Sequence, residues 1–391
     1  MKSSKKRFLF IPETYPSGLS GTSVKTRSTI ELLLSEGCYV DVACIDFGVL
    51  KKRNLSHERL RIFSVYRQGT RKLRIALIVK LVSLIFSFKP VLVNRIFDRR
   101  LDQLIEILIS SQNYDTIFFD GYSMLQYSRR FAKNQIYIDN EDITDLLWKR
   151  TKSELNIFKK IFFLTEYWRS KVFEKKYFRH VSSIWAICPN SQKRFKQLSP
   201  AKVVLMPTLI DRAENCFSAK SKDLVFIGTL SWPENINGVK WFLDSCWVKI
   251  QKDHPKTRLL IVGNLASESF RNFCSKYKNV RLTGYVKNLS SIYKKAALAI
   301  SPILINSGIK IKVLNYLSFG IPTVAIEQST WGMDSTYGVE LAKENDFAEK
   351  VIAMLHNLPR RKELSSAAIK NISLYHSRKR LRKFFKDNEI I

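Results

Sequence analysis

Short apolar runs alternate with longer segments of mixed polarity along this chain of 391 residues. Runs of this length are typical of buried strands, and the segments between them carry apolar residues at helical spacing. The first run, residues 8–11, precedes a glycine-containing turn at 16–22 and a helical segment at 23–35. This alternation predicts an α/β fold with parallel strands. In the first half we expect strands at residues 8–11, 39–45, 116–119, 135–138, 183–187 and 203–206.

The same alternation returns in the second half, with strands expected from residue 225, at 259–263, at 297–302 and at 323–326. A chain of this length can form two domains with separate cores. Pro207 follows the last apolar run of the first half. We therefore expect domains at residues 1–207 and 208–370, followed by a basic helix within 371–391.

The charge is strongly positive, with 66 lysines and arginines against 34 acidic residues and a net charge of +32. An excess of this size attracts anionic surfaces. The six cysteines are scattered without a CxxC pair, which favours reduced, buried thiols in a cytoplasmic protein. The five histidines show no metal-ligand spacing, and the apolar run near Met1 is too short for a signal peptide.

One segment, residues 71–89, combines an apolar stretch with flanking basic residues. It is too short and too charged to span a membrane, which takes about 20 apolar residues. A helix in the membrane interface and a core helix of the first domain both fit this pattern. Nucleic-acid binding is not expected, because no recognition motif accompanies the charge.

Residues 306–322, NSGIKIKVLNYLSFGIP, predict a helix between two strands. Such a helix begins at the carboxyl end of a strand, where open α/β sheets bind ligands. Its free N–H groups, the helix dipole, Lys310 and Lys312 together favour an anion, and Gly308 permits close approach of a ligand. An ordinary amphipathic helix bounded by glycine and proline has the same pattern.

This segment resembles the donor-diphosphate block of the group 1 glycosyltransferases, nucleotide-sugar-dependent enzymes of the GT-B fold. Residues 225–242 (VFIGTLSWPENINGVKWF), 259–263 (LLIVG) and 282–297 (LTGYVKNLSSIYKKAA) are similar to other blocks of that family, in the same order. The resemblance covers residues 225–332. It implies two Rossmann-like domains facing each other across a cleft, with the acceptor on the first, the donor on the second, and the C-terminal helix crossing back. From the sequence alone, residues 374–386 fit a frayed surface helix equally well.

The resemblance implies roles for particular residues. Lys310 and Asp120 are the expected catalytic residues; for Asp120, a turn or capping role is the alternative. Many relatives carry glutamates where this chain has Ser307 and Asn315, and an arginine where it has Thr229. The expected donor-binding residues are Gly228, Thr229, Ser307, Gly308, Ile309, Lys310, Lys312 and Asn315. The expected acceptor-side residues are Gly18, Gly21, Asp139 and Glu141.

The predicted function is transfer of a sugar from a nucleotide-sugar donor to a glycan or polyprenyl-linked glycan, with retention. No metal and no cofactor are expected, because there is no DxD motif and lysines can neutralise the diphosphate. A nucleotide-sugar epimerase of the same fold and a non-catalytic GT-B subunit remain alternatives. The expected location is the cytoplasmic face of an anionic membrane, with no nucleic-acid partner.

Overall fold

The computed structural model describes residues 5–16, 21–48, 55–67, 88–128, 134–210, 213–305, 309–333 and 335–391. The chain forms two compact units. The first contains residues up to Leu209 together with Leu381–Ile391, and the second spans Ile210–Arg380. None of the helices in these ranges is both long and apolar enough to cross a membrane.

The first unit contains a seven-stranded sheet in the order β3-β2-β1-β4-β5-β6-β7. Every pair of neighbouring strands is parallel. The strands are β1 (Arg7–Pro12), β2 (Tyr39–Asp46), β3 (Leu60–Tyr66), β4 (Thr116–Asp120), β5 (Gln135–Ile138), β6 (Ser183–Ala186) and β7 (Lys202–Leu205).

Helices cover the first sheet between its strands. A 3₁₀ segment, Tyr122–Tyr127, follows β4. The α-helices are α1 (Gly21–Ser35), α2 (Val91–Ile96), α3 (Arg99–Ser111), α4 (Ile143–Ser153), α5 (Ile157–Tyr177) and α6 (Pro189–Leu198).

The second unit contains a six-stranded parallel sheet in the order β10-β9-β8-β11-β12-β13. Its strands are β8 (Asp223–Ile227), β9 (Leu259–Val262), β10 (Val280–Gly284), β11 (Ala296–Ser301), β12 (Thr323–Ile326) and β13 (Val339–Ala342). Its helices are α7 (Pro233–Phe242), which continues through a π-helical turn (Leu243–Trp247) into α8 (Val248–Asp253), then α9 (Glu268–Cys274), α10 (Ser290–Tyr293), α11 (Ile311–Ser318), α12 (Phe347–His356) and α13 (Leu358–Tyr375). A last helix, α14 (Arg378–Asp387), leads into the C-terminal part of the first unit.

Both sheets have the strand order of a Rossmann-like fold, which confirms the predicted α/β class with two Rossmann-like units. The central strands are buried on both faces, as parallel sheets require. In the first unit, the rings of Phe10 and Phe118 stack at 4.5 Å, and Trp185 lies 5.3 Å from Phe118. Strand order reverses between β1 and β4, and again between β8 and β11. Ligands of open α/β sheets bind at such points, beyond the carboxyl ends of the strands.

Three expectations need comment. The basic helix expected at residues 374–386 is wrong as one element, because α13 ends at Tyr375 and α14 begins at Arg378. His376 between them is buried, and its carbonyl accepts a hydrogen bond from the Ile210 N–H. Residues 71–87 of the apolar–basic segment predicted at 71–89 lie outside the described residues. All six cysteines are free thiols and buried.

Candidate functional site

At the switch point of the second unit, two strands end in glycines that lie very close together. Gly228 follows β8 and Gly263 follows β9, and the Gly228 N–H donates to the Val262 carbonyl at 3.0 Å. A Cβ atom on Gly263 would lie only 1.9 Å from the Gly228 oxygen. A Cβ on Gly228 would lie 2.9 Å from Nδ2 of Asn235. Only glycine therefore fits at position 263 without a backbone shift, and a larger residue at position 228 would displace the Asn235 side chain.

Asn235, in the first turn of α7, connects two of the predicted donor-binding residues. Its Nδ2 donates to the Thr229 carbonyl at 2.8 Å. Its Oδ1 accepts a hydrogen bond from Nζ of Lys312. The side chain thus holds the loop after β8 against the start of α11. Asn235 was not among the residues predicted from sequence, although it belongs to the WPEN segment that carries the family resemblance.

Lys310 and Lys312 lie at the beginning of α11, with Lys310 as the N-cap and Lys312 in the first turn. The Lys312 ammonium also lies 4.6 Å from the centre of the Phe226 ring. Burial lowers the pKa of Lys312 well below its usual value, and the nearby Lys310 lowers it further, while Glu234 raises it. A desolvated lysine at a helix N-terminus is suited to bind an anion.

The remaining predicted donor-binding residues lie in α11 or just before it, and Tyr316 of α11 holds this helix in place. The Tyr316 hydroxyl accepts a hydrogen bond from the Ile227 N–H at 2.8 Å, which fastens α11 to the end of β8. Asn315 is partly buried. Ile309 packs against the apolar cluster that includes Val313 and Leu314. Ser307 and Gly308 lie outside the described residues.

In the first unit, three acidic side chains follow the carboxyl ends of neighbouring strands. Glu13 follows β1, Asp120 ends β4 and Asp139 follows β5. The Glu13 carboxylate accepts a hydrogen bond from the Ser123 N–H at 2.9 Å. Burial raises the pKa of Glu13 above its usual value. Gly121 has φ +111°, and a Cβ there would lie 2.5 Å from the Glu13 side chain.

Asp120 is buried, and its carboxylate already has partners. One oxygen accepts a hydrogen bond from the Thr26 hydroxyl, and the other accepts one from Asn140 Nδ2 at 2.9 Å. The Lys25 ammonium lies 4.0 Å away and donates to the Asp139 carbonyl at 2.7 Å. Asp120 therefore joins α1 to β4 and β5. A contact between Asp120 and a sugar stays a prediction.

Asp139 is fully buried beside Lys25. Burial raises its pKa to about 7, with a further rise from Asp142 and opposing contributions from Lys25 and the Tyr137 hydroxyl. Oδ1 accepts a hydrogen bond from Tyr137 at 3.1 Å, and Oδ2 has no hydrogen-bond partner in the described structure.

The other predicted acceptor-side residues are placed as follows. Glu141 is partly buried. Gly21 is the first residue of α1. Gly18 is outside the described residues. Their roles toward an acceptor stay predictions.

Two other features of the second unit lie outside this arrangement. Within the described residues, Asp253, His254 and His356 bring ligand-type atoms within 4.8 Å of one another. His356 Nε2 already lies 2.7 Å from the Asp253 carboxylate. Asp253 and His356 are the last residues of α8 and α12. Because the helices run opposite to the strands in a parallel α/β sheet, this cluster lies at the amino ends of the strands, whereas Gly228 lies at a carboxyl end. Separately, a cavity of about 360 Å³ lies beyond β12 and β13 and is lined by Glu327, Gln328, Ala342, Lys343, Glu344 and Asn345.

Comparison with known proteins agrees with this geometry. Residues 221–357 match the sequence profile of a domain family described as glycosyl transferases group 1. A Klebsiella pneumoniae protein described as an uncharacterized 44.6 kDa protein in the cps region is 26% identical over 295 residues, covering 71% of this chain and 75% of that protein.

Solved structures show the same fold over nearly the whole chain. WaaG, a glycosyltransferase involved in lipopolysaccharide biosynthesis, is 12% identical with a TM-score of 0.67, covering 96% of this chain and 98% of that one. Anabaena Alr3699/HepE, solved in complex with UDP and glucose, is 11% identical with a TM-score of 0.64, covering 98% and 99%. The matched profile and the shared fold lead to one conclusion: residues 221–357 form a group 1 glycosyl transferase domain, the chain has the GT-B fold, and it is a glycosyltransferase.

Proposed function

We propose that this glycosyltransferase moves a sugar from a nucleotide-sugar to a glycan or polyprenyl-linked glycan, with retention and without a metal ion. The observation that carries the donor assignment is the hydrogen-bonded connection from Lys312 through Asn235 to Thr229. It brings a desolvated ammonium, a helix start and a glycine turn together at one switch point.

The donor diphosphate would lie at the start of α11. In the transfer, the bond from the anomeric carbon to the diphosphate oxygen breaks, and that oxygen takes the electron pair. Lys312, Lys310 and the N–H groups of the first turn would stabilise this charge, which grows toward the transition state. Lysine charge supplies what a divalent cation supplies elsewhere, so added chelator should leave the rate unchanged.

The ribose of the nucleotide would lie beside Asn315. Its side-chain amide has both donors and an acceptor that a ribose hydroxyl can use. A neutral amide binds a hydroxyl less strongly than the carboxylate found in many relatives. The same difference supports a second candidate, a subunit that binds the donor without turning it over.

The acceptor would approach the first unit, where Glu13, Asp120 and Asp139 follow adjacent strands. Retention means that the acceptor oxygen bonds to the anomeric carbon on the face that the diphosphate leaves. The acceptor hydroxyl loses its proton in that step, and the departing diphosphate oxygen can accept it. Asp120, held by Thr26 and Asn140, would position α1 and Lys25.

A screen of nucleotide-sugars by thermal unfolding tests the donor proposal directly. A ligand that binds only the folded state raises both the free energy of unfolding and the unfolding temperature. At a ligand concentration one hundred times the dissociation constant, the free energy of unfolding rises by about 2.7 kcal/mol. We expect one nucleotide-sugar class, UDP-sugars being the first to test, to stabilise the wild type but not Lys312→Met. Stabilisation of both proteins alike would contradict the assignment.

The stabilising donor is then incubated with lipid-linked acceptors, and the product linkage is assigned by its anomeric proton signals. Transfer with the donor's anomeric configuration supports the proposal. Interconversion of the sugar without an acceptor would indicate an epimerase. Binding with no reaction would indicate a non-catalytic subunit.

We also propose that the protein works at the cytoplasmic face of an anionic membrane, where a polyprenyl-linked acceptor would be found. The charge of +32 supports this location. Residues 71–89 are a further candidate for the contact, and most of them lie outside the described residues. Salt-sensitive retention in membrane fractions is expected; equal retention at low and high salt would contradict an electrostatic contact.

A further inference from the structure

A helical hairpin of the first unit exposes an unusual number of large apolar side chains. We define the apolar–basic hairpin as residues 148–176, from the end of α4 through most of α5. Leu155 is 99% exposed, Phe158 79% and Trp168 56%. The exposed apolar residues of the hairpin are Trp148, Leu155, Ile157, Phe158, Ile161, Phe162, Leu164, Trp168 and Val172. Contiguous exposure of this kind marks an interaction surface.

The polarity of α5 is reversed compared with an ordinary surface helix. Its buried residues include Glu166, Ser170 and Glu174, whereas its exposed side carries most of the apolar residues. Glu166 accepts hydrogen bonds from the Val91 N–H at 2.7 Å and from Arg169 at 2.9 Å. Of the apolar and aromatic residues of α5, Phe173 and Tyr177 are buried in the core near its C-terminal end, and most of the others stay exposed.

A second buried ion pair fixes the base of the hairpin. Arg194 on α6 contacts Glu174 at 2.7 Å and Asp142 at 2.6 Å, and Asp142 is the N-cap of α4. Thr144 donates to Glu174 at 2.8 Å. Both helices are therefore anchored to the unit by charged side chains.

Two of the three acidic side chains of the hairpin are turned away from the exposed surface. Residues 148–176 contain nine lysines and arginines and three glutamates, a net charge of +6. Glu166 and Glu174 are buried, which leaves Glu154 as the remaining acidic residue, and Glu154 accepts a hydrogen bond from the Asn156 N–H. The exposed surface is consequently apolar and cationic.

Tryptophans and lysines are paired on this surface. Lys152 Nζ lies 4.8 Å from the Trp148 ring, and Lys171 Nζ lies 4.9 Å from the Trp168 ring. The Trp148 ring also lies 5.0 Å from the Tyr167 ring, which joins α4 to α5. Tryptophan with adjacent lysine is typical of the boundary between lipid headgroups and acyl chains.

We infer that the apolar–basic hairpin docks on an anionic phospholipid surface, with its apolar side chains at the acyl boundary and its lysines among the headgroups. Charge complementarity selects this occupant. A second copy of the chain would bring two surfaces of charge +6 together, and lysines are depleted from protein interfaces. This docking surface rests on the membrane association proposed above. It places the contact on residues that the sequence did not indicate.

The test is sedimentation of the full-length protein with vesicles of about 30% phosphatidylglycerol in phosphatidylcholine, compared with vesicles of phosphatidylcholine alone. We expect binding to the anionic vesicles and release in about 0.5 M salt, because screening shortens the range of attraction. The double variant Phe158→Ser/Trp168→Ser should bind at least about tenfold more weakly, since each side chain loses apolar contact with lipid. Lys159→Gln/Lys160→Gln should bind about thirtyfold more weakly, at about fivefold for each basic residue near the surface.

Matched controls lie on exposed positions elsewhere. Val248→Ser removes an apolar side chain that is 68% exposed, and Lys256→Gln removes an exposed charge. Both should bind vesicles like the wild type. Wild-type vesicle binding by the two hairpin variants would overturn the inference. Wild-type dimers that dissociate in the hairpin variants, without vesicle binding by the wild type, would assign the surface to a second copy instead.

The same variants are examined for stabilisation by the nucleotide-sugar that stabilises the wild type. Hairpin variants that lose vesicle binding and keep donor stabilisation support the docking surface. Absence of donor stabilisation in the wild type refutes the donor proposal and leaves the vesicle result valid, so the two failures are distinguishable.

Discussion

Replacing Lys312 by Met should have opposite effects on function and on stability. The methionine keeps the length and the apolar stem of the side chain, so it can still pack on Phe226, 4.6 Å from the original ammonium. What is lost is the positive charge and the hydrogen bond to Asn235. This substitution therefore distinguishes a lysine that binds a ligand from a lysine that stabilises the fold.

The functional loss follows from the charge. Two unit charges 4 Å apart interact by about 4 kcal/mol at an effective dielectric constant of about 20. If Lys312 contacts the departing diphosphate in the transition state, removal of the charge should lower kcat/KM about a thousandfold. Lys310→Met should cost less, because Lys310 is the N-cap and precedes the helical turn.

The effect on stability has the opposite sign. Burial lowers the pKa of Lys312 in the folded state, so the folded state is penalised for the charge below that pKa. The penalty disappears as the pH rises through the folded pKa toward the unfolded value. The neutral methionine avoids it at pH 7, and only a hydrogen bond of about 1 kcal/mol is lost in exchange. We therefore expect Lys312→Met to unfold at the same or a higher urea concentration than the wild type.

The assay pairs steady-state transfer kinetics with urea unfolding at pH 7. Lys240→Met is the control, because Lys240 also lies over a phenylalanine ring in the same unit, 5.2 Å from Phe273, but at the end of α7. It should keep wild-type kinetics. A Lys312→Met enzyme with normal kcat/KM and a stability loss above about 2 kcal/mol would show that Lys312 serves the fold.

Three other changes give independent information. Asn315→Glu should tighten donor binding and Asn315→Leu should weaken it, because a carboxylate accepts hydrogen bonds more strongly than an amide; unchanged calorimetric affinities for both would place Asn315 away from the ribose. The wild type should lose stability as the pH rises from 4 to 7, because burial raises the pKa of Asp139 to about 7 in the folded state. Asp139→Asn has no such group, so its free energy of unfolding should rise by about 4 kcal/mol relative to that of the wild type over this range. Urea-unfolding free energies that change in parallel with pH in both proteins would contradict this. Gly263→Ala should weaken donor binding more than tenfold, because its Cβ would lie 1.9 Å from the Gly228 oxygen; wild-type affinity by calorimetry would show that the turn can shift without affecting the ligand.

Much of the fold could be predicted because its central strands are apolar on both faces. Three strands lack this signal and were not predicted: β3, β10 and β13, each at the edge of its sheet. In β3, for example, partly buried and exposed residues alternate along the sequence LRIFSVY, which follows a basic region. An edge strand of this kind carries little hydrophobic signal. The break between α13 and α14 was also missed, since it depends on burial of His376 and on its bond to Ile210, which local sequence does not encode.

The candidate site was predictable only in part. Glycines and lysines have recognisable spacing in the sequence, whereas the bridging role of Asn235 depends on Lys312, 77 positions further along the chain. His254 and His356 are brought together from positions that are even farther apart along the chain. The exposure of apolar residues on α5 was hidden because they are spread around the helix and do not mark one face, and only the structure shows which side faces inward.

The hydrogen bond from the Ile227 N–H to the Tyr316 hydroxyl has a thermodynamic consequence. It joins the last residue of β8 to the middle of α11, so the two segments that would contact a nucleotide are connected before any ligand arrives. A ligand then has less conformational freedom to remove on binding, and more of its interaction energy appears as affinity. Loss of this one hydroxyl should therefore be felt as a less favourable binding entropy, with the number of ligand contacts unchanged.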